Sequence, residues 1–283
     1  MVRKEAAFGG RLVITGFGSI GQGALPLLLR HIDIRPDQVT VIKAHADDLE
    51  IADAFGVQHR VAPLERDSYR EVLEPHLGHG DFLLNLSVDV SSTALIAHCR
   101  EKGALYLDTC IEPWPGTFTD ESRPLAERTN YALRESALAL HDAGAAQPTA
   151  VLTRGANPGL VSHFVKQALL NIARDGGPAQ PDYRPTVHYA YHPCDDAVLS
   201  LHELAARNWR PQDRERLIRD EIVSGHDELG VLLMGHARGA YWYGSQLTVE
   251  AARAACPYNS ATSLQVAAPV MAGVVWALNN PGA

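Results

Sequence analysis

The 283-residue sequence is poor in cysteine, methionine and aromatic residues, with four Cys, three Met and 7% Phe, Trp and Tyr. Cys99, Cys110, Cys194 and Cys256 show no CxxC spacing and are too sparse to staple a small fold. That argues against a metal centre and a disulfide framework, and for a reducing compartment. Long apolar runs are also missing. The longest, Leu264 to Leu278, is interrupted by Gln265 and Pro269 and reads as a buried helix rather than a membrane span. The start MVRKEAAFGGRLVITGFG lacks the apolar stretch and cleavage site of a secretory signal, so a cytoplasmic location is expected. Positive charge is in deficit: 25 Lys and Arg face 33 Asp and Glu, leaving a net charge of −8. No nucleic-acid footprint is expected from that balance.

What is present is ordinary globular material, 46% hydrophobic and 20% charged, long enough for two domains. Arg11 to Thr15 (RLVIT) reads as a strand, and Ile20 to His31 as a leucine-rich helix. Val39 to Lys43, Gln58 to Ala62, Phe82 to Val88 and Ala104 to Asp108 are further strands. Helical stretches near Leu49 to Phe55, Tyr69 to His76 and Thr93 to Lys102 alternate with them. Such alternation calls for a parallel sheet with right-handed crossovers. Leu125 to His141 reads as a helix, Thr149 to Thr153 as one more strand, and Pro158 to Ala173 as a helix capped by Asn157. After the Gly- and Pro-rich stretch Arg174 to Pro185 come a helix over Asp195 to Ala206, a hairpin turning near Arg238 and Gly239, and a final helix. The fold class is α/β: a Rossmann-type parallel-sheet domain over 1–150, then an α+β domain over 151–283.

Gly16, Gly18 and Gly21 form G-F-G-S-I-G between the first strand and its helix. The first glycine permits the tight turn, the second lets a pyrophosphate approach the backbone, and the third allows close helix–strand packing. Ser19 and Ile20 complete the turn at a helix N-terminus, which attracts phosphate. Position, flanking strand, flanking helix and the following β-α alternation agree on a Rossmann-type site. At the end of the second strand, where an acid would read the ribose of NAD, stands Lys43, with Asp47 and Asp48 just beyond. The choice between NAD and NADP stays open on these residues alone. Ligands in open α/β sheets bind outside the carboxyl ends of the strands, so Asn85, Ser87, Thr109 and Glu112 are expected to face the cofactor crevice.

These residues also carry a resemblance. GFGSIGQGALPLL, NLSVDVSS, LYLDTCIEPW, RGANPGLVSHFVKQAL, HYAYHPCDDAVLSLHE, DELGVLL and AYWYGSQL are similar to the bacterial homospermidine synthase family, of saccharopine dehydrogenase-like architecture. The resemblance implies a bound NAD that takes hydride from the carbon bearing one amino group of putrescine. The imine then loses ammonia, condenses with a second diamine and receives the hydride back. It further implies that Glu112 binds a substrate ammonium, that Asn157 contacts the diamine or cofactor, that Asp89 and Asp227 line the amine site, and that the enzyme is a homodimer. No metal or membrane partner is implied. Members of the family are longer: between Arg174 and Tyr183 this chain lacks a middle part of the substrate domain, and it stops at Ala283 where the family continues. His188, His192 and His202 match other histidines and do not fill the missing role. Three readings follow: an active polyamine-forming enzyme with a compact substrate domain, a related NAD(P)-dependent imine reductase, or a cofactor-binding homologue without catalysis.

Overall fold

The computed structural model describes residues 3–142, 146–153, 159–176, 193–213, 217–236 and 239–283. Its centre is a six-stranded parallel sheet made of β2 (Leu12–Thr15), β4 (Val39–Lys43), β5 (Gln58–Val61), β6 (Phe82–Asn85), β7 (Leu105–Asp108) and β8 (Ala150–Val151). Spatial order is β5-β4-β2-β6-β7-β8, so the chain builds outward from β2 in one direction and then the other. Counted within this sheet the order is 3-2-1-4-5-6, the doubly wound arrangement that opens a crevice where the order reverses, beside β2. A separate parallel pair joins β1 (Ala6–Ala7) to β3 (Ile32–Asp33), which the sequence pattern did not signal.

The central strands β2, β6 and β7 are buried on both faces, the edge strand β5 is exposed, and alternate side chains feed two cores. Leu12, Ile14, Val41, Phe82, Leu84, Leu105 and Leu107 point to one side, against α1 (Ser19–His31), α2 (Glu50–Ala54), α8 (Val249–Ala255) and α9 (Ala261–Asn279). Val13, Ile42, Leu83 and Tyr106 point to the other, against α3 (Tyr69–Leu73), α4 (Ser92–Lys102) and α5 (Asn130–Leu138). The helix expected over Leu125 to His141 is split. A 3-10 turn covers Leu125–Arg128, and Thr129, in extended conformation, caps α5 by accepting the amide of Ala132 at 3.2 Å. The capping hydroxyl restarts the helix there.

The chain divides into two compact units, and the division is not a single cut near 150. Unit 1 holds Met1–Gly159, Arg219–Asp227 and Gln246–Ala283; unit 2 holds Leu160–Ile218 and Glu228–Ser245. The C-terminal return has a physical reason. α9 is long and apolar enough to cross a membrane by length and composition, yet Leu264, Ala267, Val270, Val274 and Ala277 form a buried stripe at helical spacing against the core that α1 shares. Its other side is more open, with Trp276 exposed, so the helix is half-buried rather than enclosed. Cys256, Asn259 and Gly23 fasten the junction: Asn259 Nδ2 donates to the Gly23 carbonyl at 3.1 Å and Ser263 Oγ donates to Asn259 Oδ1 at 3.2 Å.

Unit 2 contains α6 (Val161–Gly176), α7 (Asp195–Ala206) and the hairpin formed mainly by β9 (His226–His236) and β10 (Gly239–Thr248). Gly239 takes a positive φ at the turn; Ala237 and Arg238 lie outside the described residues. Its core is small, with Ala168 against Val231 and Leu233, and Phe164 edge-on to Tyr243. Leu232 and Met234 of β9 are exposed.

The α1–α9 junction yields a test. Alanine in place of a mid-helix glycine normally gains up to about 1 kcal/mol of helix propensity. At Gly23 the added Cβ would collide with Asn259 Oδ1, on a short, buried side chain held by hydrogen bonds. Gly23→Ala is expected to lower stability by about 1–3 kcal/mol in urea unfolding; an unchanged or raised midpoint would show that the junction adapts freely.

Candidate functional site

β2 ends at Thr15, and Gly16 follows with φ of +80°. A Cβ there would stand 2.7 Å from the backbone of Leu86 and Ser87, so both the conformation and the close approach require glycine. Gly18 is different. A Cβ added to it meets nothing within 4 Å, which leaves a bare backbone facing open space at the start of α1. A Cβ added to Gly21 would stand 3.0 Å from Phe17 Cδ2 and 3.1 Å from the Gly16 carbonyl oxygen, so the third glycine lets α1 pack closely against the turn that follows β2. α1 has no acidic residue in its first turn and no side-chain cap from Gly18, so its first amides present an unopposed positive end. Ser19 is exposed at this end and Ile20 packs against the core. A dinucleotide pyrophosphate fits such a cradle by shape and charge.

Sheet register brings three polar residues into one row. Thr15 pairs with Asn85, and Asn85 with Asp108, each the last residue of its strand. All three are at most 2% exposed, as is Tyr106. Burial of this kind requires hydrogen bonds. Thr15 Oγ1 donates to Asn85 Oδ1 at 2.9 Å, and Ser87 Oγ donates to the same oxygen at 2.5 Å. Asn85 Nδ2 donates to the Tyr106 hydroxyl at 3.3 Å, which donates to Asp108 Oδ2 at 3.2 Å. Asp108 Oδ1 accepts the amide of Thr153 at 2.9 Å. The Asn85 amide is thus engaged inside this network rather than presented to a ligand, because strand alternation turns it toward the α4 face. Burial raises the Asp108 carboxyl to about 6, against the pull of hydrogen bonds from Thr153, Ser92 and Tyr106.

Glu112 is half-buried and is fixed through its backbone. Its amide donates to Ser92 Oγ at 3.0 Å and its carbonyl accepts from the Ser92 amide at 2.9 Å, so the first residue of α4 grips the loop after β7. Thr109 is half-buried directly after β7. Asp89 is exposed in the loop after β6 and adopts a left-handed φ of +60°. That conformation is uncommon for a non-glycine residue and is one that Asp tolerates. Asp227 accepts a 3.4 Å hydrogen bond from Gln265 on α9. Asn157 lies outside the described residues, as do His188 and His192; His202 is exposed on α7.

The structure therefore joins Asn85, Ser87 and, through Ser92, Glu112 in one network. It puts Asp89 in the adjoining loop and Asp227 against α9. Thr15, Tyr106, Asp108 and Ser92 are members that the motif reading missed. Their signal was present: RLVIT, FLLN and LYLD are three apolar strands that each end on a polar residue.

At the end of β4, Lys43 is largely covered, with only 13% of its side chain exposed. Its Nζ lies 3.1 Å from Asp47 Oδ1 and 3.8 Å from Asp48 Oδ2. Arg219, distant in sequence, joins them through Nη2 to Asp48 and Nη1 to Glu50, each at 2.6 Å. The hydrogen bond from Lys43 lowers the Asp47 carboxyl, and that from Arg219 lowers Glu50. Two cations are thus matched to three carboxylates. Among the described residues, no cluster of His, Cys, Asp and Glu forms a metal site.

Residues 12–151 match the family model described as the saccharopine dehydrogenase NADP binding domain. The homospermidine synthase of Blastochloris viridis is 36% identical over 406 aligned positions, which take in 97% of this chain and 85% of that protein. That of Mesorhizobium japonicum is 32% identical over 409 positions, with 97% and 84% covered. The crystal structure of the homospermidine synthase from Legionella pneumophila in complex with NAD superposes with a TM-score of 0.82 at 34% identity, covering 97% of this chain and 85% of that one. Alignments of 406 and 409 positions exceed the 283 residues of this chain, so part of each relative's length has no counterpart here. With identity above 30% sustained across nearly all of its residues, the chain belongs to the homospermidine synthase family.

Proposed function

We propose that this protein converts two putrescine molecules to homospermidine and ammonia, with NAD bound in the crevice of unit 1. The observation that carries the reading is the backbone of Gly18, open to ligand at the uncapped start of α1, in a chain whose relatives at this identity are homospermidine synthases. Bound there, NAD supplies a hydride acceptor for the carbon bearing one amino group and returns the hydride to the condensed imine, so net redox change is zero. Gly16, Gly18, Ser19, Ile20 and Gly21 hold the pyrophosphate, and Ser87 and Thr109 bound the nicotinamide side.

A diamine offers only its ammonium groups as polar handles, so its site needs carboxylates and amide oxygens. Glu112 takes the ammonium near the reacting carbon, with its loop held by Ser92. Asp89 and Asp227 supply further negative charge, and Asn157 an amide oxygen. The protein acts as a homodimer, as the family resemblance implies. The reaction belongs to the cytoplasm, where four unbridged cysteines are at home. Mass spectrometry of the products from putrescine and NAD tests the whole reading. Homospermidine is the expected product. Turnover only with an added carbonyl compound and reduced nicotinamide would mean an imine reductase instead, and bound cofactor without turnover would mean a homologue that has lost catalysis.

Three further outcomes are expected. Gly18→Val should leave the fold intact, since its side chain enters open space, while abolishing NAD binding in calorimetric titration; wild-type affinity in that variant would sink the assignment. NAD should bind at least about tenfold tighter than NADP, a difference of about 1.4 kcal/mol, because a 2′-phosphate would have to displace Asp47 and Asp48 from Lys43. Competitive titration of the two cofactors reads this directly, and a preference for NADP would overturn it. Glu112→Gln should keep NAD affinity while reducing putrescine affinity or turnover about tenfold to a hundredfold, the loss of about 1.5–3 kcal/mol from a charged hydrogen bond. Steady-state kinetics with unchanged putrescine turnover would remove Glu112 from the amine site.

A further inference from the structure

Asp108 belongs to no motif of the cofactor turn and is buried too deeply to serve as a surface ligand. Even so, the hydrogen bonds at the strand ends all run toward it. Asn85 Oδ1 receives both Thr15 and Ser87, which leaves Nδ2 as the donor to Tyr106. With that lone pair occupied, the Tyr106 hydroxyl turns its proton to Asp108 Oδ2, while Oδ1 receives Thr153. Ser92, which favours the ionised carboxylate, holds Glu112 through two hydrogen bonds: its hydroxyl accepts the Glu112 amide and its own amide donates to the Glu112 carbonyl. Every donor in the row is satisfied in one direction only, and the direction requires an acceptor at its end.

We propose that Asp108, as a carboxylate, is the positioning residue of the crevice: it sets the direction of the Thr15–Asn85–Tyr106 hydrogen-bond row and thereby fixes the turn after β2, the loops after β6 and β7, and the end of β8 against one another. This rests on the reading of the crevice as the NAD site. A neutral acid or an amide at 108 presents a hydrogen where the row needs a lone pair. The Tyr106 hydroxyl then has two donors and no acceptor, and Asn85 must rotate or lose a partner. The loops that hold the cofactor loosen while the apolar layers of the sheet stay in place. Of the groups that face Asp108, the negative Glu112 disfavours its ionisation, Ser92, Tyr106 and Thr153 favour it, and the Cys110 thiol lies nearby.

The sign of the pH effect follows. With its carboxyl near 6, Asp108 is ionised at neutral pH and takes up a proton as pH falls through that value. NAD affinity, titrated by calorimetry between about pH 5 and pH 8, should be highest when it is ionised and fall about tenfold on its protonation, the scale of a lost charged hydrogen bond. Asp108→Asn should bind about tenfold more weakly than wild type at neutral pH, with no step near 6. Tyr106→Phe cuts the row between Asn85 and Asp108 and removes a donor that stabilises the carboxylate, so its step should shrink and move to higher pH. Thermal unfolding of each protein at each pH keeps loss of binding separate from loss of fold.

A wild-type profile without the step, or an Asp108→Asn variant that retains either the step or the neutral-pH affinity, would overturn the proposal. If Asp108→Asn does not fold, Tyr106→Phe decides, and an unmoved step counts against it. Wild-type protein that binds no NAD at any pH would reject the cofactor reading itself and this inference with it.

Discussion

Thr15, Asn85 and Asp108 end three neighbouring parallel strands with their side chains buried, and an unpartnered polar group in that position costs about 1–3 kcal/mol. The cost forces the three into hydrogen bonds with one another and with Tyr106, Ser87 and Thr153. Apolar residues at the same places would pack as well and would leave the following loops free to choose their own conformations. The polar row removes that freedom. It couples the Gly16 turn, the Ser87 loop and the end of β8, the segments between which the crevice opens.

Around this row the sheet is held from both sides by different means. One face is covered by helices that follow the strands locally, as α3 and α4 do. The other depends on α9, which returns from the far end of the sequence to lie against α1. A helix without a single charged residue needs a partner surface, and the close approach permitted by Gly23 helps supply one. Unit 1 is therefore complete only when the last residues of the chain have arrived, while unit 2 keeps a thin core of its own.

Charge is arranged differently at the start of α1 and at the end of β4. The first turn of α1 carries no acidic residue to oppose the helix dipole, which suits an anionic ligand. At the end of β4, Lys43 and Arg219 are answered by Asp47, Asp48 and Glu50, so the lysine that alone would invite a second phosphate is occupied. These are partly exposed pairs, each worth little to stability. A phosphate arriving there would meet carboxylates already in contact with the cations.

The sequence alone determined the parallel α/β sheet, the glycine turn and the likeness to the family, because strand and helix periodicities and a short contiguous motif are local properties of the chain. It also brought forward Glu112 and Ser87, which stand in or beside those strand ends. It did not reveal Ser92 as the grip on Glu112, Arg219 as the partner of Asp48, or the return of α9 to α1, since each joins residues far apart in the chain. Asn85 was legible as a strand-end residue, but whether it faces ligand or neighbour depends on which face of the sheet it occupies and on what its partners offer. Asp108 makes the same point most clearly: LYLD ends on an acid in plain sight, yet only the register of three strands, by surrounding that acid with donors and shutting out water, made it an acceptor with a carboxyl near 6.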